Sequence, residues 1–192
     1  MKIGGRFLLG LAMGVLLGAI IGVLLVNLFQ EQLCPSVTCV SKASLVPISD
    51  RGYFPAVHRE LQRAQQSIHI VAFEMKYYED YQDSNQNRIV EALVDAHERG
   101  VDVRIIVDEY SKENNAYEFL REKGILIRYD SEAVTTHSKL IIIDGKVVIL
   151  GSTNFSYYGL EKNHEANILV DAENVAEYFE GYFEELWPIR QP

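Results

Sequence analysis

The residues best suited to chemistry in this 192-residue chain are a histidine and a lysine two positions apart, His137 and Lys139. They stand at the start of the apolar run from Leu140 to Ile143, which predicts a buried strand. Because side chains alternate along a strand, both would lie on one face and Ser138 on the other. A neutral imidazole beside a fixed ammonium can act on a phosphate, since the imidazole can attack phosphorus while the ammonium holds the oxygens.

A second polar group follows this strand. Asp144 precedes a glycine, which predicts a hairpin, and the returning strand would bring Gly151, Ser152 and Asn154 back beside the histidine and lysine. Gly151 permits close backbone approach, whereas Ser152 and Asn154 offer neutral hydrogen-bond partners to phosphate oxygens. At the hairpin corner Asp144 is interpreted as a turn residue and structural hydrogen bonder rather than a substrate contact.

A carboxylate and four further histidines complete the candidates. Glu165 opens another apolar strand, and a carboxylate there can hold an imidazole N–H, which fixes the tautomer and stabilises the cation. The remaining histidines lack a lysine two positions later and are interpreted as packed or solvated side chains: His58, His69, His97 and His164.

Taken together, the pattern H-x-K-x4-D-x6-G-S-x-N occurs once in the chain and resembles the motif of the phospholipase D superfamily. The chain is similar to short members, namely the small bacterial endonucleases and the Zucchini or mitochondrial phospholipase D branch. In that family the motif histidine forms a covalent phosphohistidine, and an active site needs two motifs. The resemblance therefore implies a homodimer in which His137 is nucleophile in one protomer and general acid in the other. It also implies that Lys139, Ser152 and Asn154 bind phosphate and that Glu165 supports a histidine.

The N-terminus carries an apolar run, residues 7–29, that is 23 residues long and has no charged side chain. This length can span about 30 Å of hydrocarbon as a helix, and it exceeds the apolar region of a cleaved signal peptide. The run therefore predicts an uncleaved transmembrane anchor. Lys2 and Arg6 precede it, so the positive-inside rule places residues 1–6 in the cytoplasm and the catalytic domain outside. The Zucchini-like members, whose enzyme domain faces the cytosol from the mitochondrial outer membrane, keep the opposite topology open.

Glycines recur every four residues along one face of this predicted helix, at Gly10, Gly14, Gly18 and Gly22. Such a face lets two transmembrane helices approach closely, although glycine is also simply frequent in membrane helices. A parallel pair would bring two catalytic domains together. That agrees with the chemistry, because one histidine cannot easily be neutral nucleophile and protonated acid in the same step.

Residues 30–50 are predicted to be a linker that contains the two cysteines of the chain, Cys34 and Cys39. In an oxidising compartment they can close a disulfide, and in a reducing one they would be free thiols. Two cysteines alone lack the further ligands of a metal site, and neither a metal nor a nucleotide motif appears elsewhere. The sequence therefore predicts no metal and no cofactor.

Residues 51–192 are predicted to form the phospholipase D-like catalytic domain. Strands alternating with helices, followed by a late hairpin, predict an α/β fold with a mixed sheet flanked by helices on both faces. The predicted helices are 56–66, 87–99, 116–123 and 173–187, and the predicted strands before the hairpin are 67–73, 101–107 and 125–129.

The charge of the chain bears on its substrate. The net charge is −9, and the first 42 residues contribute three basic side chains and one acidic one, which leaves −11 for the rest. This domain lacks the broad basic surface of a tight duplex-DNA binder. A tyrosine-rich acidic segment, residues 74–81, would border the cleft as a surface for bases or lipid, or as a solvated loop. Three functions stay open: cleavage of single-stranded nucleic acid, which is preferred; hydrolysis of phospholipid or cardiolipin; and an inactive membrane scaffold.

Overall fold

A computed structural model describes residues 14–25, 43–109 and 115–188. The chain divides into two compact units, Met1–Cys39 and Val40–Pro192.

The described part of the first unit is one helix, α1, which covers residues 14–25 and is exposed along its length. Its three glycines face open space. Among the described residues no helix is both long and apolar enough to cross a membrane. The rest of the predicted anchor at 7–29 lies outside the described residues, as do Cys34 and Cys39.

In the second unit seven strands form one mixed sheet. They are β1 (Ser44–Ser49), β2 (Ser67–Ala72), β3 (Asp102–Val107), β4 (Leu126–Tyr129), β5 (Lys139–Ile143), β6 (Val147–Gly151) and β7 (Ala166–Asp171). Their order across the sheet is β1-β7-β6-β5-β2-β3-β4. Strands β2, β3 and β4 are parallel to one another, whereas every other neighbouring pair is antiparallel.

Helices cover both faces of this sheet, as the sequence predicted. Three of them, α2 (Tyr53–Arg63), α3 (Asn85–Glu98) and α4 (Ala116–Glu122), pack on one face. The last helix, α5 (Glu173–Leu186), packs on the other. Strand β5 is buried at every position because it lies near the centre of the sheet under both layers. Its side chains alternate between the two cores, with Ile141 in one and Ile142 in the other.

The register brings polar residues together where the strands begin or end, at one end of the sheet. We call this end, formed by strand termini and not by an outer strand, the site edge. Lys139 at the start of β5 pairs with Ala72 at the end of β2. Gly151 at the end of β6 pairs with Asn167 near the start of β7. The parallel strands β3 and β4 also end at this edge, so the segments that follow β2, β3, β4 and β6 meet those that precede β5 and β7.

The predicted C-terminal boundary of the linker, residues 30–50, is wrong. Ser44–Ser49 form β1, an edge strand that pairs antiparallel with β7, so the folded domain begins before the predicted boundary of 51–192. Its apolar residues, Leu45, Val46 and Ile48, are flanked by serines, which favour a linker. The strand is largely exposed; Leu45, for example, is 60% exposed. Pro47 also disfavoured a strand, yet an edge strand tolerates proline because one side of it needs no donor.

Candidate active site

The histidine and lysine of the motif meet at the site edge, one exposed and one buried. His137 precedes β5 and is exposed, whereas Lys139, the first residue of β5, is only 7% exposed. The Lys139 Nζ donates to the backbone oxygen of His137 at 2.9 Å. Phe73 backs both groups, because its ring centroid lies 4.8 Å from the imidazole and 5.0 Å from Nζ. The pair therefore presents an accessible imidazole beside a desolvated ammonium.

The charge on Lys139 is set by opposing effects. Burial lowers the pKa of its ammonium, while the nearby carboxylates of Glu165, Glu74 and Asp108 act in the opposite direction. An ammonium held away from bulk water interacts strongly with an anion that enters the site. This is the arrangement that stabilises the oxygens of a phosphoryl group without solvent reorganisation.

Two buried carboxylates hold the loop that leads into His137. The backbone N–H of Thr136 donates to Asp108 at 2.7 Å and to Asp130 at 3.1 Å. Asp130 also accepts from the backbone of Glu109 at 2.9 Å. Sequence reasoning missed both aspartates. The available signal was an acidic residue directly after each of two apolar strands, β3 and β4.

Ser152 and Glu165 form a second cluster at the edge. The Ser152 hydroxyl donates to the Glu165 carboxylate and accepts from the backbone of Ala166 at 3.1 Å. The amide of Asn163 donates to the same carboxylate at 3.0 Å. Within the described residues Glu165 thus bonds Ser152 and Asn163 rather than His137. The structure therefore shows Ser152 as a partner of Glu165, whereas its predicted contact with phosphate stays a prediction.

The turn after β1 fixes the backbone of Glu165. Asp50, at φ 48°, donates its N–H to the Glu165 oxygen at 3.0 Å and accepts the Glu165 N–H at 2.7 Å. This backbone hydrogen bond and the nearby His164 lower the pKa of Asp50. Arg51 adds a bond to the backbone oxygen of Asn163 at 2.7 Å. Asp50, which was assigned to the linker, therefore positions a predicted site residue.

The segment after β6 is locked against β7. A Cβ added at Gly151 would lie 2.6 Å from the Cα of Asn167, so a glycine is needed for the close approach of β6 to β7 at this point. The Asn167 amide donates to the Thr153 hydroxyl at 2.9 Å. Next to this contact, Asn154 Oδ1 is buried with no hydrogen-bond partner among the described residues. Oδ1 is an acceptor, so the predicted contact of Asn154 with phosphate would use its Nδ2 donor and stays a prediction.

Asp144 lies at the other end of the hairpin, away from the site edge. At φ 54° its carboxylate accepts from the backbone N–H groups of Gln65, Gln66 and Ser67, at 3.1, 2.7 and 3.1 Å to Oδ1. These bonds confirm its interpretation as a turn residue and structural hydrogen bonder.

The other histidines have surroundings different from those of His137 in the described part of the chain. His69 is packed on Phe183 with its Nδ1 2.6 Å from Glu180. His164 is exposed and pairs with Asp50. The remaining two are half-buried on helices α2 and α3, so His97 is less solvated than predicted.

Known proteins are similar to this chain in sequence and in fold. A family model described as "Cardiolipin synthase, PLD-like domain" matches residues 57–187. The phospholipase D of Rickettsia bellii is 31% identical over 189 residues, which cover 92% of this chain and 89% of the relative. The phospholipase D of Rickettsia typhi is 33% identical over 129 residues, or 65% of this chain, and the match spans 58% of that relative. The mitochondrial cardiolipin hydrolase of Canis lupus familiaris is 36% identical over 93 residues, 47% of this chain and 37% of the relative.

Among solved structures, Nuc, a phospholipase D family member from Salmonella typhimurium, superimposes with a TM-score of 0.69 at 27% identity. The match covers 78% of this chain and 97% of Nuc.

Proposed function

Because the chain belongs to the phospholipase D superfamily, we propose that it is a phosphodiesterase that works through a covalent phosphohistidine on His137. The observation that carries this proposal is the exposed imidazole of His137 beside the buried ammonium of Lys139. Asn154 and Lys139 would bind the non-bridging oxygens of the phosphate.

The reaction has two steps. An imidazole nitrogen of His137 attacks phosphorus, the new N–P bond forms, and the bond from phosphorus to the leaving oxygen breaks. A general acid gives its proton to that oxygen. Water then attacks phosphorus, returns a proton to the same acid, and releases the imidazole. None of these steps calls for a metal, and metal independence is part of the proposal.

The general acid is a second copy of His137 in a homodimer. One chain supplies one histidine with a lysine two positions later. Within the described residues the other four have other surroundings: His69 pairs with Glu180, His164 pairs with Asp50, and His58 and His97 are half-buried on helices. In this assembly Glu165, which the Ser152 and Asn163 bonds orient, supports a histidine of the paired site.

Residues 7–29 anchor the enzyme to a membrane, with residues 1–6 cytoplasmic and the catalytic domain on the other side. The length and composition of the apolar run and the two preceding basic residues support this topology. The glycine face of the anchor helix supports pairing of two chains.

Single-stranded nucleic acid is the preferred substrate, because the acidic domain lacks the basic surface that duplex DNA requires. Phospholipid is the second candidate. It is favoured by the names of the relatives, phospholipase D and mitochondrial cardiolipin hydrolase.

The test uses the full chain in detergent with labelled single-stranded DNA, single-stranded RNA and cardiolipin vesicles, each with and without EDTA. We expect cleavage of the single strands that persists in EDTA and is lost in His137→Ala. The matched control is His97→Ala, at the end of α3 remote from the site edge, which should retain activity. Cleavage that requires a metal or survives His137→Ala would contradict the mechanism, and an active but strictly monomeric protein would contradict the two-fold site.

A further inference from the structure

A tyrosine-lined cavity opens beside the candidate active site. Its volume is about 480 Å³, and it is lined by Tyr78, Tyr81, Ser84, Gln86, Tyr157 and Tyr158. Two of the rings are largely exposed, Tyr81 at 70% and Tyr158 at 68%. Rings held at a surface without a core to fill present their faces to a ligand.

Two of the residues that line the cavity each carry a buried polar atom with no hydrogen-bond partner among the described residues. Gln86 is only 2% exposed, and its Oε1 has no hydrogen-bond partner among the described residues. The same is true of the buried Ser84 Oγ, although Ser84 is the N-cap of α3, where a serine hydroxyl commonly bonds the helix backbone. Buried polar atoms without partners are unfavourable, so a ligand that bonds both would gain affinity from them.

Backbone contacts tie the cavity to the site edge. The segments that follow Phe73 and Asn154 run side by side, since Lys76 N donates to Phe155 O at 2.9 Å. Further along, Tyr157 N lies 3.4 Å from the hydroxyl of Tyr78. Tyr157 is three residues beyond Asn154, which limits the separation of their Cα atoms to about 10 Å. The cavity is therefore within reach of a group covalently attached to a phosphate bound at the active site.

We propose that this cavity is a subsite for a nucleobase adjoining the scissile phosphate of a single-stranded nucleic acid. The proposal rests on the proposed phosphodiesterase function and names the substrate class of that site. A base is planar and can stack on the tyrosine rings whatever its identity. Its edge carries N–H donors for Gln86 Oε1 and both donors and acceptors for the Ser84 hydroxyl.

Two observations favour a base over a lipid chain or headgroup. A hydrocarbon chain in the cavity would leave the oxygens of Ser84 and Gln86 unpaired. The segment between Tyr78 and Ser84 carries Glu79, Asp80 and Asp83 and no basic residue, which repels an anionic headgroup. The phosphate would therefore stay near Lys139 while the neutral base enters the cavity. A duplex could not place a base in the cavity in this way, because its bases are already stacked and paired.

Binding is the first test, and it needs no turnover. On a full-length His137→Ala background, the Kd of a fluorescein-labelled single-stranded DNA is measured by anisotropy beside the same strand with abasic residues. We expect Tyr158→Ala to weaken binding of the intact strand about tenfold. Tyr158→Phe should leave it unchanged because the ring remains. The abasic strand should bind weakly and equally to the protein with and without Tyr158→Ala.

The matched control is Tyr178→Ala, another exposed tyrosine, which is 55% exposed on α5, on the other face of the sheet. It should leave binding of both strands unchanged. A second variant, Gln86→Met, keeps the shape of the buried side chain and removes its acceptor. The order of the Kd values for oligo-dA, oligo-dC and oligo-dT should change in this variant, while the protein stays folded.

Three results would overturn the subsite: equal affinity for intact and abasic strands, equal weakening by Tyr178→Ala, or loss of cardiolipin-vesicle binding in Tyr158→Ala as large as the loss of DNA binding. Turnover by the protein with His137 intact is measured separately. Base-dependent binding without any cleavage would reject the proposed function and support the base-binding subsite. Cleavage without base-dependent binding would support the proposed function and reject the subsite.

Discussion

The two ends of the β5–β6 hairpin carry residues of the same sequence motif but differ in what those residues do. His137 and Lys139 lie at one end, with an imidazole open to solvent and an ammonium buried beside it. Asp144 lies at the other end, about 17 Å away along a five-residue strand. Its carboxylate accepts three backbone N–H groups. Under the proposed function, residues of one motif therefore divide between chemistry and stability.

The ends also differ in how well their polar groups are satisfied. Asp144 has its hydrogen bonds supplied by the protein, whereas Asn154 Oδ1 has none among the described residues. Lys139 is a buried cation, which is unfavourable for folding and useful for binding an anion. Substitutions at the site end should therefore change activity, and those at the far end should change stability.

The largest effect is expected for Lys139→Met. Loss of the ammonium should lower kcat by about 100- to 1,000-fold, because the charge that develops on phosphate oxygens loses its partner. The free energy of unfolding in urea should be unchanged or higher, since a desolvated charge is removed. The control is Lys146→Met at the far end, where an exposed lysine pairs with Asp171 at 3.6 Å. Equal losses of activity in both variants would break the distinction between the two ends.

The far end is tested by Asp144→Ala. The free energy of unfolding should fall by about 2–3 kcal/mol, because three backbone donors lose a charged acceptor and alanine disfavours the positive φ. Asparagine keeps an acceptor and tolerates this φ, so the fall in the free energy of unfolding should be smaller for Asp144→Asn. In both variants kcat per folded molecule should match that of the unsubstituted protein. A fall in kcat without a loss of stability would place Asp144 in the chemistry.

A smaller effect on activity is expected for Ser152→Ala. Without its hydroxyl the Glu165 carboxylate loses its orientation, and kcat should fall about 10-fold through misplacement. Glu165→Gln should lower kcat as well, and the double variant should lose little more than Glu165→Gln alone, because the two side chains act as a unit. Strictly additive losses would show that Ser152 acts on the substrate directly.

The smallest effect concerns pH and Asp50. The hydrogen bond from Glu165 N–H, and then His164, holds its pKa below the ordinary value, so the folded state favours the carboxylate. Its contribution to stability is present above the unfolded pKa of about 4 and is lost as the pH falls through the folded value. Asp50→Asn should therefore lower the Tm at pH 7, and the difference in Tm should shrink as the pH approaches about 3. If the difference in Tm instead grew as the pH falls, the pKa of Asp50 would not be lowered by folding.

The sequence predicted the elements whose signals are local. The apolar runs around the hairpin, with glycine after Asp144, defined β5 and β6, and alternation placed His137 and Lys139 together. The edge strand β1 was missed because Pro47 and the serines on both sides of it favour a linker, although the strand contains apolar residues. The carboxylates of Asp108 and Asp130, which hold Thr136, act across long sequence separations that no local pattern encodes.

The central claim is that His137 becomes covalently bonded to phosphorus. The direct measurement is the mass of the peptide containing His137 after the full chain turns over a single-stranded oligonucleotide in EDTA and is quenched in alkaline denaturant. The account predicts an acid-labile adduct on His137 whose phosphorus still carries one fragment of the oligonucleotide, and this adduct is absent from His137→Ala. An adduct on a different residue, or undiminished turnover by His137→Ala, would contradict it.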